Sequence, residues 1–261
     1  MAIDYRGLCG TMLNMNILLT NDDGIHAPGI AAAYKELTKL GDVTVVAPAD
    51  RMSGAGHSIT VFEPLVCEKV QIENQFAGYS VGGSPADCVK LAIMELCPKR
   101  PDLVISGINN GANVGINVYY SGTVAAAMEA VFYRIPAIAL SCAHEEQMDF
   151  ETAAKYAAKV INKLPVESLS GVININIPKL SSGKPKGIKV VPQSTMGFEE
   201  YFVKKQSETG QTLYQLAGGN HLDTDVPSDT LALADGFITV TALGFDMTDY
   251  KNMEKLHQIK W

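Results

Sequence analysis

The chain has no basic stripe. Its formal charge is −7, with 21 Lys and Arg against 28 Asp and Glu. Duplex nucleic acid is therefore not an expected partner, because phosphate neutralisation needs clustered cations. No apolar run reaches membrane-spanning length, which excludes a transmembrane helix. The N-terminus has neither a continuous apolar core nor a cleavage pattern of the secretory kind, so the expected location is the cytoplasm. Cysteines are few and odd in number: Cys9, Cys67, Cys88, Cys97 and Cys142, with no C-x-x-C pair. That pattern argues against a disulfide framework or a thiolate metal site and for reduced, mostly buried thiols. There is no P-loop. Gly54-Ala55-Gly56 lacks the third glycine and the following helix of a dinucleotide fingerprint. Internal repeats and low-complexity segments are also missing, and with 47% hydrophobic residues the chain is too apolar to be disordered.

What is present is organised around Asn16-Ile17-Leu18-Leu19-Thr20-Asn21-Asp22-Asp23-Gly24. Four residues read as a buried strand, and two adjacent carboxylates follow at once. In an open α/β sheet, ligands gather just past the carboxyl ends of the strands. Adjacent carboxylates repel, and a hard divalent cation removes that cost. One Asp there would pass as a helix N-cap; two followed by Gly point to a metal site.

Residues 1–14 show no periodicity and are set aside as an N-terminal extension, with Met15 directly before the first strand. Ile30, Tyr34, Leu37 and Leu40 recur at helical spacing up to Gly41, and Val43 to Ala47 is a second buried strand, completing a βαβ unit. Asp50 to Ser58 is a Gly- and Ser-rich loop at its carboxyl end. Leu65–Ile72 and Phe76–Val81 read as an antiparallel excursion. Ser84-Pro85-Ala86-Asp87 carries the start signals of a helix. Asp102 to Ser106 is a third parallel-type strand. It enters a polar stretch, 107–121, with three glycines and four Asn, a composition more often functional than connecting. Ser121-Gly122-Thr123 opens an Ala-rich helix through Tyr133. Ala137 to Ser141 is a strand, Phe150 to Leu164 a helix, and Val172 to Ile177 alternates apolar residues with Asn174 and Asn176. Beyond Gly187, Ile188–Val191, Thr212–Leu216 and Phe237–Thr241 alternate like antiparallel strands. The expected fold is Rossmann-like α/β: a mostly parallel sheet with helices on both faces, plus a C-terminal antiparallel hairpin extension. The expected division is a core over 15–182, hairpins over 183–235 that pair with another subunit, and a return strand with the C-terminal segment over 236–261.

Four loops then fall on one sheet edge: Asn21–Gly24, Ser53–Ser58, Gly107–Gly115 and Tyr119–Thr123. Two carboxylates nearly neutralise a divalent ion, so its other ligands should be neutral oxygens, a Ser hydroxyl and an Asn amide among them. The Ser121-Gly122-Thr123 helix start offers backbone N–H groups to an anion. Metal plus anion cradle suggests phosphoryl chemistry by activated water. His26 and His57 are either acid–base groups, phosphate donors or hydrogen-bonded loop residues, and spacing decides none of these. His144 and His221 read as surface residues.

The stretches ILLTNDDGIHAPGI (17–30), APADRMSGAGHSIT (47–60), GGSPADCVKLA (82–92), PDLVISGINNGANVG (101–115), YYSGTVAAAMEA (119–130) and TDVPSDTLALADGFITVTAL (224–243) together resemble the SurE family (stationary-phase survival protein E). These are metal-dependent 5′/3′-nucleotidases acting on nucleoside monophosphates. The resemblance implies metal ligands at Asp22, Asp23, Ser53 and Asn109, and a phosphate site at Asn113, Ser121, Gly122 and Thr123. It further implies catalysis by Asp22 and Asp23, with one divalent ion, Mg or Mn, as cofactor. Homodimers or homotetramers with exchanged C-terminal arms are expected as well. One departure is Thr241-Ala242-Leu243, where the family usually closes with Thr-Pro-Leu. The implied activity is phosphomonoester hydrolysis of 5′- and 3′-nucleotides, with short polyphosphate as a further substrate. Two other readings use the same features: a non-catalytic nucleotide or polyphosphate sensor, and a sugar-nucleotide transferase, for which the adjacent Asp22-Asp23 lacks the usual D-x-D spacing.

Overall fold

The structure is a computed structural model that describes residues 15–73, 75–221 and 226–261; the 1–14 extension lies outside these. In chain order the elements are β1 (Met15–Thr20), α1 (Pro28–Leu37), β2 (Gly41–Pro48), β3 (Cys67–Ile72), β4 (Phe76–Val81), α2 (Pro85–Leu91), β5 (Leu103–Asn110), α3 (Asn117–Tyr120), α4 (Gly122–Phe132), β6 (Ala137–Cys142), α5 (Phe150–Ile161), β7 (Val172–Ile177), β8 (Ile188–Val190), β9 (Phe198–Gln206), β10 (Thr212–His221), α6 (Asp229–Ala234), β11 (Ile238–Leu243) and α7 (Tyr250–Leu256).

Nine strands form one sheet in the order β3-β4-β2-β1-β5-β6-β7-β11-β8. The pairs are parallel except β3–β4 and β7–β11. The chain therefore steps outward from β1 to β2 on one side, then returns to start β5 on the other. That reversal is a topological switch point, and the carboxyl ends of β1 and β5 open onto it.

The central strands are apolar at nearly every position because both sheet faces are covered. Ile17, Leu19, Ile105, Ile138 and Leu140 face the side packed by Ile30, Ala33 and Leu37 of α1 and Ala153, Ala157 and Ile161 of α5. Leu18, Val46, Val104 and Ala139 face Cys88 and Val89 of α2 and Val124, Ala127 and Ala130 of α4. The start signals at α2 act as expected. Ser84 caps the helix by accepting from the Asp87 amide, and the Asp87 carboxylate accepts from the Ser84 amide.

Three local differences from the sequence reading have clear causes. First, β5 does not stop at Ser106 but runs on to Asn110, with a register irregularity between Ser106 and Asn109. Gly107 makes this possible. It sits at φ +140°, and a Cβ there would lie 2.2 Å from the Leu140 carbonyl oxygen. Cross-strand pairing thus overrides the turn propensity of Gly-Ile-Asn-Asn. Second, β3 and β4 pair antiparallel as expected, but β4 also pairs parallel with β2, so the two extend the main sheet instead of leaving it. Third, β8 is not part of an antiparallel hairpin; it pairs parallel with β11 at the sheet edge. The separate two-stranded sheet is β9–β10. Ala242 keeps its place in β11 opposite Ile173.

One contact governs how α1 sits. A Cβ on Gly29 would fall 2.0 Å from the Ile108 carbonyl oxygen, so α1 can approach β5 only because residue 29 has no side chain. Gly29→Ala should cost about 3 kcal/mol of stability by overpacking, read as a lower urea midpoint with an unchanged m-value.

Candidate functional site

β1 ends at Thr20 and delivers Asp22 and Asp23 to the switch point. Asp22 is 4% exposed. Its Oδ1 accepts a hydrogen bond of 2.6 Å from the Thr123 hydroxyl, and the Thr123 backbone N–H also turns to its carboxyl. The anion seated on the start of α4 is thus the protein's own Asp22. Gly122 allows the approach: a Cβ there would lie 2.8 Å from the Asp22 Cβ and 3.1 Å from its Oδ2. Burial pushes the Asp22 carboxyl above its ordinary value. The Thr123 bond pulls it back, and the neighbouring Asp23 charge pushes it up further.

Asp23 is held differently. Its Oδ2 accepts from the Asn110 backbone N–H at 3.0 Å, and its Oδ1 lies 3.2 Å from Arg51 Nε. The same Arg51 Nε donates to the Ser53 hydroxyl at 2.8 Å. The loop carrying Arg51 and Ser53 is tied to the strand end by the Met52 N–H, which donates to the Asp22 carbonyl at 2.7 Å. Asn109 donates its side-chain N–H to the Gly111 carbonyl at 2.8 Å; among the described residues no donor meets its Oδ1. The structure therefore brings together Asp22, Asp23, Ser53, Gly122 and Thr123, with Asn109 one residue from the amide that holds Asp23.

Ser121 and Asn113 are fixed by their own partners. The Ser121 hydroxyl oxygen accepts from the Val124 N–H at 3.1 Å, which leaves its proton to donate elsewhere. Asn113 is enclosed by a network. Its N–H donates to Asn176 Oδ1 at 2.8 Å, and its carbonyl accepts from Asn174 and Asn176 at 2.7 and 3.2 Å. Its side-chain amide donates to the Ser141 hydroxyl at 2.8 Å. One of the two amide protons is spent on Ser141. No described contact joins Asn113 to the acid pair.

The same loop is pinned from the C-terminal side. Asp229, fully buried at the start of α6, accepts from the N–H groups of Gly115 (2.9 Å), Ser194 (2.8 Å) and Thr230 (2.8 Å). Gln193 donates to the Gly115 carbonyl at 2.8 Å.

The histidines separate cleanly. His57 bonds Glu129 at 2.9 Å and stacks on Phe132, with ring centroids 5.2 Å apart and planes 4° apart. It touches none of the acid-pair residues and braces α4. His26 is exposed, with no hydrogen bond among the described residues. His144, read as a surface residue, is exposed but bonds the Asn110 side chain at 2.8 Å, which puts it on the site's rim. The side chain of His221 is not among those described.

Arg51 and Asp229 were not singled out from sequence; Asn110 counted only as one of the four Asn of the 107–121 stretch, and His144 was read as a surface residue. Only Asn174 and Asn176 carried a visible signal, as polar residues at every second position of an otherwise apolar strand.

The donor set can be tested against a hard cation. It offers two carboxylates and neutral oxygens, and the described residues hold no group of three His, Cys, Asp or Glu. Asn21 Oδ1, beside the pair, is buried with no partner, and Asp22 is destabilised as a charge by burial. Such a set suits Mg or Mn rather than a thiolate- or imidazole-seeking metal. A surface cleft of about 670 Å³ between α1 and α5, around Tyr34, Lys35 and Met148, shares none of these residues.

With that geometry established, the comparisons decide the family. A family model described as "Survival protein SurE" matches residues 17–200. The chain belongs to the SurE family. It is 44% identical over 245 residues to a protein of Desulfitobacterium hafniense named 5′-nucleotidase SurE, covering 94% of this chain and 96% of that one. It is 39% identical over 249 residues to one of the same name from Clostridium botulinum, covering 94% and 99%. The crystal structure of the SurE protein from Aquifex aeolicus superposes with a TM-score of 0.80 at 39% identity, covering 92% of this chain and 98% of that chain. The SurE fold is thus shared nearly end to end.

Asp229→Ala leaves three N–H groups without their acceptor and should cost roughly 3 kcal/mol or more, with hydrogen exchange at the Gly115 and Ser194 amides accelerated first. Glu129 is 3% exposed and pairs with His57 and with Lys90 Nζ at 2.7 Å. Burial pushes its carboxyl up, but the His57 and Lys90 bonds outweigh it, so the net shift is downward. A carboxylate depressed in the folded state stabilises above its unfolded value, and that contribution is lost as pH falls through the folded one. Between the ordinary glutamate range and the acid side of it, the wild type should lose stability more steeply than Glu129→Gln, as measured by denaturation midpoints against pH.

Proposed function

We propose that this chain is a divalent-metal-dependent phosphomonoesterase that hydrolyses nucleoside 5′-monophosphates, with 3′-monophosphates and short polyphosphate as further substrates. The observation that carries it is the acid pair at the switch point, tied at once to α4 through Thr123, to β5 through Asn110 and to the Ser53 loop through Arg51. The name 5′-nucleotidase on relatives covering nearly the whole chain supports it.

Asp22, Asp23, Ser53 and Asn109 would hold one Mg or Mn ion. When bound, that ion supplies Lewis acidity toward the phosphoryl group and makes water acidic near neutral pH. Thr123 orients Asp22 with its hydroxyl. The Ser121 hydroxyl proton, the Gly122 N–H and the second amide proton of Asn113 serve the phosphate oxygens, so developing charge meets fixed donors. One carboxylate of the pair takes the water proton, with Asp22 held through Oδ1 by Thr123 and Asp23 held by Asn110 and Arg51. The buried Asn174 and Asn176 hold Asn113 in place.

Exposed Tyr201, Phe202, Leu213, Tyr214 and Leu216 on β9–β10 suit pairing with another copy. Within the 183–235 segment β8 closes the edge of the main sheet beside β11, and we read the separate β9–β10 hairpin as the oligomerisation arm, in a homodimer or homotetramer with exchanged arms. Among the described residues no helix is long and apolar enough to cross a membrane; a cytoplasmic location fits the thiol content.

The test is phosphate release from AMP and GMP with added Mg or Mn. Release should need the metal and stop with EDTA. Asp22→Asn and Asp23→Asn should lower turnover by at least about 10²-fold while the far-UV spectrum and melting transition stay near those of the wild type. Tight, metal-independent nucleotide binding without release would instead make the chain a sensor.

A further inference from the structure

Arg51 occupies an unusual place. Its Nε sits 3.2 Å from Asp23 Oδ1 and 2.8 Å from the Ser53 hydroxyl oxygen. One atom thus touches two of the four side chains assigned above to the metal. The guanidinium cannot lose its charge, so it stays a competitor at every accessible pH. Asp23 is 10% exposed and Arg51 63% exposed on its side chain, so the cation reaches in from solvent over a fixed acid. The backbone beneath is anchored on both sides: Ala49 N–H on the Val81 carbonyl at 2.8 Å, and Met52 N–H on the Asp22 carbonyl at 2.7 Å. Between these anchors the side chain can swing away without moving the strand end. No other Lys or Arg contacts the acid pair among the described residues.

We propose that Arg51 is an internal counter-cation. It stands on Asp23 and Ser53 while no metal is bound, keeps these groups assembled, and must be displaced for a divalent ion to enter. The inference rests on the metal-site reading above. A divalent ion seated on Asp23 and Ser53 would meet the positive guanidinium at contact distance, so the Arg51 contact subtracts from metal affinity. Ion pairs with one exposed partner are worth up to about 1 kcal/mol, which converts to an affinity penalty of up to about fivefold. The pair is partly screened, so the penalty shrinks as salt rises.

The probe is Mn²⁺ alone, with the bound fraction followed by electron paramagnetic resonance on the full chain, so no turnover is needed. At low salt Arg51→Gln should bind Mn²⁺ more tightly than wild type, by about two- to fivefold, and the gap should close as ionic strength approaches about 1 M. Arg51→Lys keeps the charge and should stay near wild type. Asp23→Asn should lose most of the affinity. If Arg51→Gln binds Mn²⁺ as wild type does, or more weakly, the counter-cation role is wrong while the metal site stands. If wild type and Asp23→Asn bind alike, the metal-site reading itself falls, and this inference with it.

Discussion

Two carboxylates fixed side by side at the end of a buried strand repel each other, and the rest of the site is arranged to contain that repulsion. Each acid is answered by a different element. Asp22 is met by the Thr123 hydroxyl at the start of α4, Asp23 by a backbone N–H at the end of β5 and by a guanidinium from the loop after β2. Charge placed where it is costly thus becomes the tie between segments far apart in sequence. Gly122 is part of the same solution, because any Cβ there would strike Asp22. The compensation is incomplete, since burial leaves Asp22 with raised proton affinity. That uncompensated charge is what the proposed divalent cation would neutralise.

A second, neutral network does the positioning. Asn174 and Asn176 replace apolar residues in a strand buried on both faces, and each spends its amide on the backbone of Asn113. Buried amides are costly unless their hydrogen bonds are met; on this one loop Asn176 meets both its acceptor and a donor and Asn174 meets its donor, while Asn174 Oδ1 has no partner among the described residues. Asp229 closes the cage from the other side. It binds Gly115 of that loop and Ser194 at the base of the β9–β10 hairpin, so the hairpin's root and the Asn113–Gly115 loop share one carboxylate.

Much of the fold was legible in sequence because its signals are local. Period-two and unbroken apolar runs mark β1, β2, β6 and β7, and Ser84-Pro85 and Ser121-Gly122 mark helix starts by capping chemistry that needs no tertiary partner. The misreadings share one cause. β5 runs past Ser106, β4 joins the main sheet and β8 joins its far edge because of hydrogen bonds to strands distant in the chain, which no local pattern records. Within the site, Asp22 and Asp23 announced themselves by adjacency and position. Arg51, Asn110, His144 and Asp229 did not, because an Arg in a polar loop or an Asp at a helix start has an ordinary surface role until a fold gives it a partner.

The sequence by itself determined that this is an α/β chain of the SurE family, with an acid pair at a strand end and oxygen-rich loops gathered on one sheet edge. Those properties follow from residue type and order along a strand, and a parallel sheet converts strand ends into a common edge. Only the tertiary structure decided which side chains are spent on one another. Thr123 is committed to Asp22, His57 to Glu129 and Arg51 to Asp23 and Ser53. Such pairings depend on distances of about 3 Å between residues tens of positions apart, and these are fixed only when helices and loops pack over the sheet.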